Sequence, residues 1–373
     1  VKHEHGVLAD NVVDVENSNT PAKISINHLR PDTRYRYRVT APDGQFLDGS
    51  FKTPAGNNGG RGLSFGVTGD WRGELAPYPA INNALNQPLD FFVKLGDTIY
   101  ADIASPAVPQ GQARTLAEYR AKHEEVFASH AGINTFAALH RHVSMFATID
   151  DHEVTNDFAG GALAGNDPRF TENTGYINQS VLYKNGLQAF AEYNPIKVKR
   201  YSAIGDARTD GRPDLYRSQR YGRTAGVYIL DARSFRDQEL PGVASITDTS
   251  EVGAFIARSF DAGNKNTRTM LGRRQLVRLM QDLRSAQREG VIWKFVMLPE
   301  PIQNLGVLGA GDRYEGYASE RSQLLRFIDE EQIKNVIFVA ADIHGTLVND
   351  LSYQRREEVQ AELVRSGNPL AAP

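Results

Sequence analysis

Carboxylates stand at the ends of six apolar runs in this chain. They are Asp70 in LSFGVTGD, Asp97 in DFFVKLGD, Asp150 and Asp151 in VSMFATIDD, Asp231 in AGVYILD, Glu300 in VIWKFVMLPE and Asp342 in NVIFVAAD. One such acid is ordinarily a turn former or the N-cap of a following helix. Six in the same position point to a shared rim, because parallel strands deliver their C-terminal ends to one edge of a sheet, where ligands bind. Carboxylates gathered there repel one another unless cations neutralise them. An oxygen-rich cluster with few imidazoles suits hard metal ions. Only two of the nine histidines adjoin these acids: His152 in IDDHEVTND and His344 in AADIHGT. His123, His130, His140 and His142 fall in or near helical segments, His3 and His5 near the terminus, and His28 in an N-terminal β segment; packing or surface roles are expected for all seven. A phenol, Tyr100, follows Asp97 by three residues.

Other site chemistries find no support. There is no G-x-S-x-G elbow, Walker A loop, H-E-x-x-H or G-x-G-x-x-G after a strand. The chain has no cysteine, which excludes disulfides, zinc ribbons and thiol nucleophiles. Net charge is −3 with a pI near 6.3, so no global basic field implies a nucleic-acid partner. No apolar run approaches the roughly 18 residues that span a bilayer. The sequence begins at Val1, and no signal peptide is read within it.

The elements that must position these acids alternate between strand and helix. The six runs are nearly continuous in apolar residues, as in sheets buried on both faces. TLAEYRAKHEEVF opens with Thr115 and Glu118 at capping-box spacing. RRQLVRLMQDLRSAQREG places Leu276, Leu279, Met280 and Leu283 on one helical face, with Gly290 as the stop. ERSQLLRFIDEEQI reads as a third helix. This alternation predicts an α/β or mixed layered core. The first sixty residues differ: AKISINHL, RYRYRVTA and QFLDGSFKT read as short strands, with Tyr35, Tyr37 and Val39 on one face and Arg34, Arg36 and Arg38 on the other. A Gly/Asn-rich linker, Thr53 to Gly62, marks a boundary between a segment over 1–60 and a domain over 61–373. So small a segment is expected to dock on the larger domain or to be part of a larger sandwich. The stretch near 159–222, with Gly, Asn and Asp clusters around LYKNGLQAFAEY, reads as an insertion over the core.

These motifs together resemble the PhoD-type alkaline phosphatases of the calcineurin-like metallophosphoesterase superfamily. The resemblance runs through GDTIYAD, TIDDHEVTND, VYILDARSFRDQ, RTMLGRRQ, DRYEGYASER and AADIHGTLVNDL in family order, with HLRPDTRYRYRVTAPDGQFLDGSFKTPA similar to the end of an N-terminal fibronectin-like domain. DDH in place of G-N-H separates the chain from purple acid phosphatases. The resemblance implies an α/β fold: a four-layer α/β/β/α metallophosphatase core behind a small, partial fibronectin-like domain. It implies a two-metal site in which Asp97 bridges, Tyr100 and His344 hold a ferric ion (Fe3+), and Asp151 and Asp342 hold a second metal, commonly calcium (Ca2+), with Asn156 a further candidate. His152 would act as an acid or phosphate-stabilising donor. Arg233 is a candidate for phosphate contact or for a structural ion pair. Export to the periplasm or the exterior is also implied.

Two departures bear on the metals. Asp70 stands where the family commonly has an iron-binding cysteine, which makes the site harder and admits zinc, manganese, cobalt or magnesium. Glu300 stands where glutamine is usual, either as an extra ligand or as a strand-end carboxylate. The implied reaction is hydrolysis of phosphate esters, mono- and possibly diesters. Rival readings are a phosphodiesterase or phospholipase D-type hydrolase on the same site, and a non-catalytic cell-wall-binding protein with a degenerate phosphatase domain.

Overall fold

A computed structural model describes the chain except residues 4–5, 8, 16–19, 173–174, 203–204, 262–267, 309 and 367–373. His5 therefore lies outside the described residues. The N-terminal sheet holds β1 (Lys2–His3), β2 (Gly6–Val7), β3 (Arg34–Thr40) and β4 (Phe46–Lys52) in the order β2-β1-β3-β4. AKISINHL forms no strand, and only the two later N-terminal runs pair, in register from Arg34–Lys52 to Thr40–Phe46. Next come β5 (Phe65–Thr68), β6 (Phe91–Leu95) and β7 (Met145–Thr148), a parallel three-stranded sheet. A short ribbon, β8 (Lys199–Arg200) with β9 (Pro213–Asp214), precedes the last sheet. That sheet runs β10 (Arg217–Tyr221), β11 (Ala225–Ile229), β12 (Trp293–Met297) and β13 (Val336–Val339), parallel except for β10.

All six apolar runs are strands, divided three and three between two sheets rather than gathered in one. Alternation along β6 decides how the sheets meet. Phe91, Val93 and Leu95 pack with Tyr221, Val227, Ile229 and Met297 of the second sheet in one shared core. Phe92 and Lys94 point the other way, toward helices, as successive residues of a strand must.

The helices are α1 (Leu116–Phe127), α2 (Thr135–His142), α3 (Val181–Tyr193), α4 (Thr249–Ser259), α5 (Arg273–Arg288), α6 (Ala318–Glu330) and α7 (Arg356–Ser366). The capping box forms at α1: the Glu118 N–H donates to Thr115 Oγ1 (3.3 Å) and the Thr115 N–H to Glu118 Oε2 (2.8 Å). Helices α1 and α3 cover the first sheet through Tyr119, Val126, Leu182, Leu187 and Phe190. Helices α5 and α6 cover the second through Leu276, Leu279, Leu283, Leu324 and Leu325.

The stretch over 159–222 is woven into this core rather than laid over it. Phe170, Ile177, Tyr183 and Phe190 share a cluster with Ile149, and the end of the stretch is β10 itself. The N-terminal hairpin docks on α2: Tyr37 Oη donates to the Arg141 carbonyl (3.1 Å), and an Arg141 guanidinium N–H to the Asp48 carbonyl (2.9 Å). Tyr35 is buried, but Val39 overhangs the contact and is 59% exposed, so the expected buried face holds for only part of β3.

Candidate metal centre

The loops after β5, β6, β7 and β13 bring their acids together. Asp70 (φ 65°), Asp97 (φ 49°), Asp342 (φ 69°) and His344 (φ 49°) all take left-handed backbone. Aspartate tolerates that region better than most residues, and strain of this kind clusters at functional sites. Gly96 (φ 93°) lets β6 and β7 end side by side, since a Cβ there would lie 2.5 Å from that of Asp150.

Three donors converge at the outer side. His344 Nε2 lies 2.9 Å from Asp70 Oδ1 and 3.4 Å from Tyr100 Oη. Separations of about 3 Å are those of neighbouring donors around one ion with bonds near 2.1 Å. Deeper in, one ligand atom each from Asp97, Asp151 and His152 lie within 4.8 Å of one another. Asp97 feels the charges of both Asp151 and Asp70. Burial, then Asp151, Asp150, Glu153 and Asp70, push its carboxyl well above the usual range. Burial likewise raises Asp70. Asp342 is pushed up to about 6 by burial and the nearby Asp151, which outweigh Arg233. Burial and surrounding carboxylates also raise the Tyr100 phenol. A cation bound among these groups would reverse each shift. The donor set, four aspartates with a phenol and an imidazole, fits hard metal ions.

Glu153 braces the rim, a role its sequence position does not announce. Its fully buried carboxylate accepts the N–H groups of Asp97 (3.0 Å), Thr98 (2.6 Å) and Asp150 (2.7 Å). Its one legible signal is its place in DDHEV. Asp102, in the loop after Tyr100, accepts from His152 Nδ1 at 2.6 Å. Asn156 is exposed; its backbone N–H reaches Asp102 Oδ2 (2.8 Å) and its side-chain amide donates to Asp157. Asp157 in turn donates its N–H to Asp151 Oδ2 (2.6 Å).

Arg233 requires a correction as a candidate phosphate contact. It is fully enclosed, with Nε on Asp150 (2.6 Å), two nitrogens on Asp312 (3.0 Å each) and a further ion pair to Glu300. Buried Arg236 also pairs with Glu300 (2.9 Å) and Asp312 (3.0 Å). Arg233 thus sits in structural ion pairs, and Glu300, expected as an extra ligand or a strand-end carboxylate, is a buried strand-end carboxylate bound to arginines, with burial raising its carboxyl well above the usual range. Asp231 also leaves the rim, accepting the N–H groups of Arg233 (3.0 Å) and Ser234 (2.9 Å) as a turn former. Of the other histidines, His123 is buried without a hydrogen-bond partner among the described residues and stacks on Tyr193. His140 packs edge-on against Phe127 and Phe136.

A family model for PhoD-like phosphatases matches residues 68–369. Alkaline phosphatase D of Bacillus subtilis (strain 168) is 25% identical over 348 residues, covering 88% of this chain and 54% of that protein. A solved structure of PhoD matches with a TM-score of 0.63 at 22% identity, covering 85% of this chain and 58% of that one, and shares its fold. The chain thus spans about half the length of the curated relative it matches. It belongs to the PhoD-like phosphatase family.

Proposed function

We propose that this chain hydrolyses phosphate esters at a two-metal site. The observation that supports this most is the convergence of Asp70, Asp97, Tyr100, Asp151, Asp342 and His344 from strand ends of both sheets. In this reading Asp70, Tyr100 and His344 hold one ion, Asp151 and Asp342 hold the other, Asp97 serves both, and Asn156 is an outer candidate. When bound, two such ions neutralise phosphoryl oxygens and lower the pKa of water to about 7. The chain's own residues supply the remainder. Glu153 holds three backbone N–H groups so that the Asp97 and Asp150 turns keep their spacing. Arg233 holds Asp150 from behind, and Arg236 shares its counter-charges. His152 faces the leaving oxygen as proton donor.

The helices on the outer faces of two packed sheets support the four-layer reading of the core, and the β3–β4 hairpin supports a partial fibronectin-like module with a boundary near residue 60. Periplasmic or secreted placement rests on the family alone. Among the described residues no helix is long and apolar enough to cross a membrane.

Elemental analysis with a visible spectrum tests the metals. Iron on Tyr100 predicts a tyrosinate charge-transfer band that Tyr100→Phe abolishes; a colourless, fully active protein removes iron and leaves calcium, zinc, manganese, cobalt or magnesium. Comparing p-nitrophenyl phosphate with its bis-ester separates a monoesterase from a phosphodiesterase or phospholipase D-type enzyme. Absence of stoichiometric metal together with no cleavage of either ester sinks the enzyme reading in favour of a non-catalytic binding protein.

A further inference from the structure

Arg72 lies two residues beyond Asp70, outside every role that the proposed hydrolysis assigns, and its neighbours fix it in place. The Trp71 N–H donates to the Asp97 carbonyl (2.6 Å), and the buried Trp71 ring stacks on Phe136 with centroids 4.4 Å apart. Tyr78 Oη donates to the Arg72 carbonyl at 3.1 Å. The backbone that carries Arg72 is thus tied to the turn that carries Asp97. Its guanidinium stands 5.9 Å from the centre of the Tyr100 ring, on the side of the outer donors Asp70, Tyr100 and His344. One oxygen of Glu74 accepts from Nε (2.7 Å) and from Nη2. Nη1 has no hydrogen bond among the described residues, and the side chain is 40% exposed. A guanidinium has five N–H donors in a rigid fork, so the edge held by Glu74 leaves the Nη1 edge open to a second anion and already oriented for it.

The surrounding charges single out that edge. On the side of Asp151 and Asp342, Asp157 lies within reach of the charges of Asp312 and Glu239. The arginines there are engaged. Arg233 and Arg236 are enclosed by Asp150, Glu300 and Asp312. Arg169 holds Asp167 through Nε and Nη2 and the Asn156 carbonyl through Nη1. Lys122, which feels the charge of Arg72, donates inward to the Ile103 carbonyl and to Ser105 Oγ (2.8 Å). A second negative group on a bound ester is therefore repelled from the Asp157 side and drawn toward Arg72.

We propose that Arg72 is a specificity-determining residue, and that this site takes phosphate esters whose leaving group carries a second anion, a carboxylate or a further phosphate, bound at Nη1. The inference rests on the phosphate-ester reading above. Arg72 binds and orients the leaving portion and exchanges no proton with it, since a guanidinium keeps its charge throughout the working pH range. Glu74 holds the side chain extended toward the site, so little rotamer freedom is lost when the anion binds.

The experiment measures kcat and KM of the metal-loaded protein for meta-carboxyphenyl phosphate, its neutral isostere meta-carbamoylphenyl phosphate, and meta-phenylene bisphosphate, in wild type, Arg72→Met and Arg72→Lys. Wild type should favour an anionic ester over the carbamoyl ester by about 10- to 100-fold in kcat/KM, as one hydrogen bond between charged groups provides, and chiefly through KM. Whichever of the carboxylate and bisphosphate esters gains more identifies the anion. Arg72→Met should abolish the preference, Arg72→Lys should keep part of it, and added salt should shrink it in wild type. A wild type without preference, or a preference that survives in Arg72→Met, overturns the proposal. An equal loss on all three esters in Arg72→Met assigns Arg72 a structural hold on Tyr100 and overturns it as well. Arg72→Gln replaces Arg72→Met if the latter does not fold. A wild type silent on all three esters fails differently, removing the hydrolase reading and this proposal with it.

Discussion

Replacing Lys94 with methionine should make this protein more stable, although Lys94 lies in the central strand of a sheet beside the candidate site. The lysine is fully buried on β6, and its Nζ finds no hydrogen-bond partner among the described residues. Its company is aromatic: the Phe136 ring at 5.3 Å and the Phe127 ring at 5.8 Å. Burial carries its pKa from the usual 10.5 down to about 7, offset only in part by the charge of Glu153. The difference of about 3.5 units is worth about 5 kcal/mol of penalty for the ammonium form. The sign comes from proton binding. Between pH 7 and 10.5 the unfolded chain holds the proton and the native chain has lost it, so native stability rises with pH across that window. Below about pH 7 both states are charged and the full penalty applies. Met keeps the length of the stem and removes the charge. Lys94→Met should therefore gain several kcal/mol at about pH 6, with a flatter profile from about pH 7 to 10.5. Equilibrium urea unfolding of the metal-loaded protein at about pH 6, 8 and 10 measures this. Equal or lower stability of the variant at the lowest pH would refute the reasoning, and would mean that Lys94 chiefly neutralises the acids behind the rim.

Glu153→Gln should cost about 3 kcal/mol or more in unfolding free energy and weaken metal retention on dialysis, because a single amide oxygen cannot serve three buried N–H groups and the new NH2 group opposes them. Arg233→Met should cost roughly 3–5 kcal/mol by leaving Asp150 uncompensated and Glu300 and Asp312 with Arg236 as their one remaining arginine. A variant that instead kept full stability and only raised KM would return Arg233 to a phosphate-binding role.

The strands were legible because a continuous apolar run leaves few alternatives to burial, and each of the six runs forms one. Their division into two sheets came from the family resemblance and not from the runs themselves, since a continuous apolar run such as β6 shows that both faces are covered without saying by what. AKISINHL has the pattern of a strand but no neighbour to pair with, and a strand needs a partner that its own sequence does not name. The capping box at Thr115 and Glu118 was readable because the interaction is local. Asp102 was not, since its bond to His152 joins residues far apart along the chain. Glu300 and Asp231 have the same strand-end position as Asp97, yet buried arginines and turn N–H groups claim them. Position along a strand gives the direction of an acid but not its counter-charge.

The left-handed backbone at Asp70, Asp97 and Asp342 makes alanine a poor probe of this site. An alanine there loses the carboxylate and also meets a steric cost of about 1–2 kcal/mol that aspartate lessens through local hydrogen bonds. Part of any measured deficit would then come from a turn that has relaxed toward negative φ and carried its neighbours off the rim. Asparagine keeps the shape and tolerates the conformation while removing the charge. The gap between the two substitutions at one position would separate what the backbone contributes to metal affinity from what the ligand oxygen contributes.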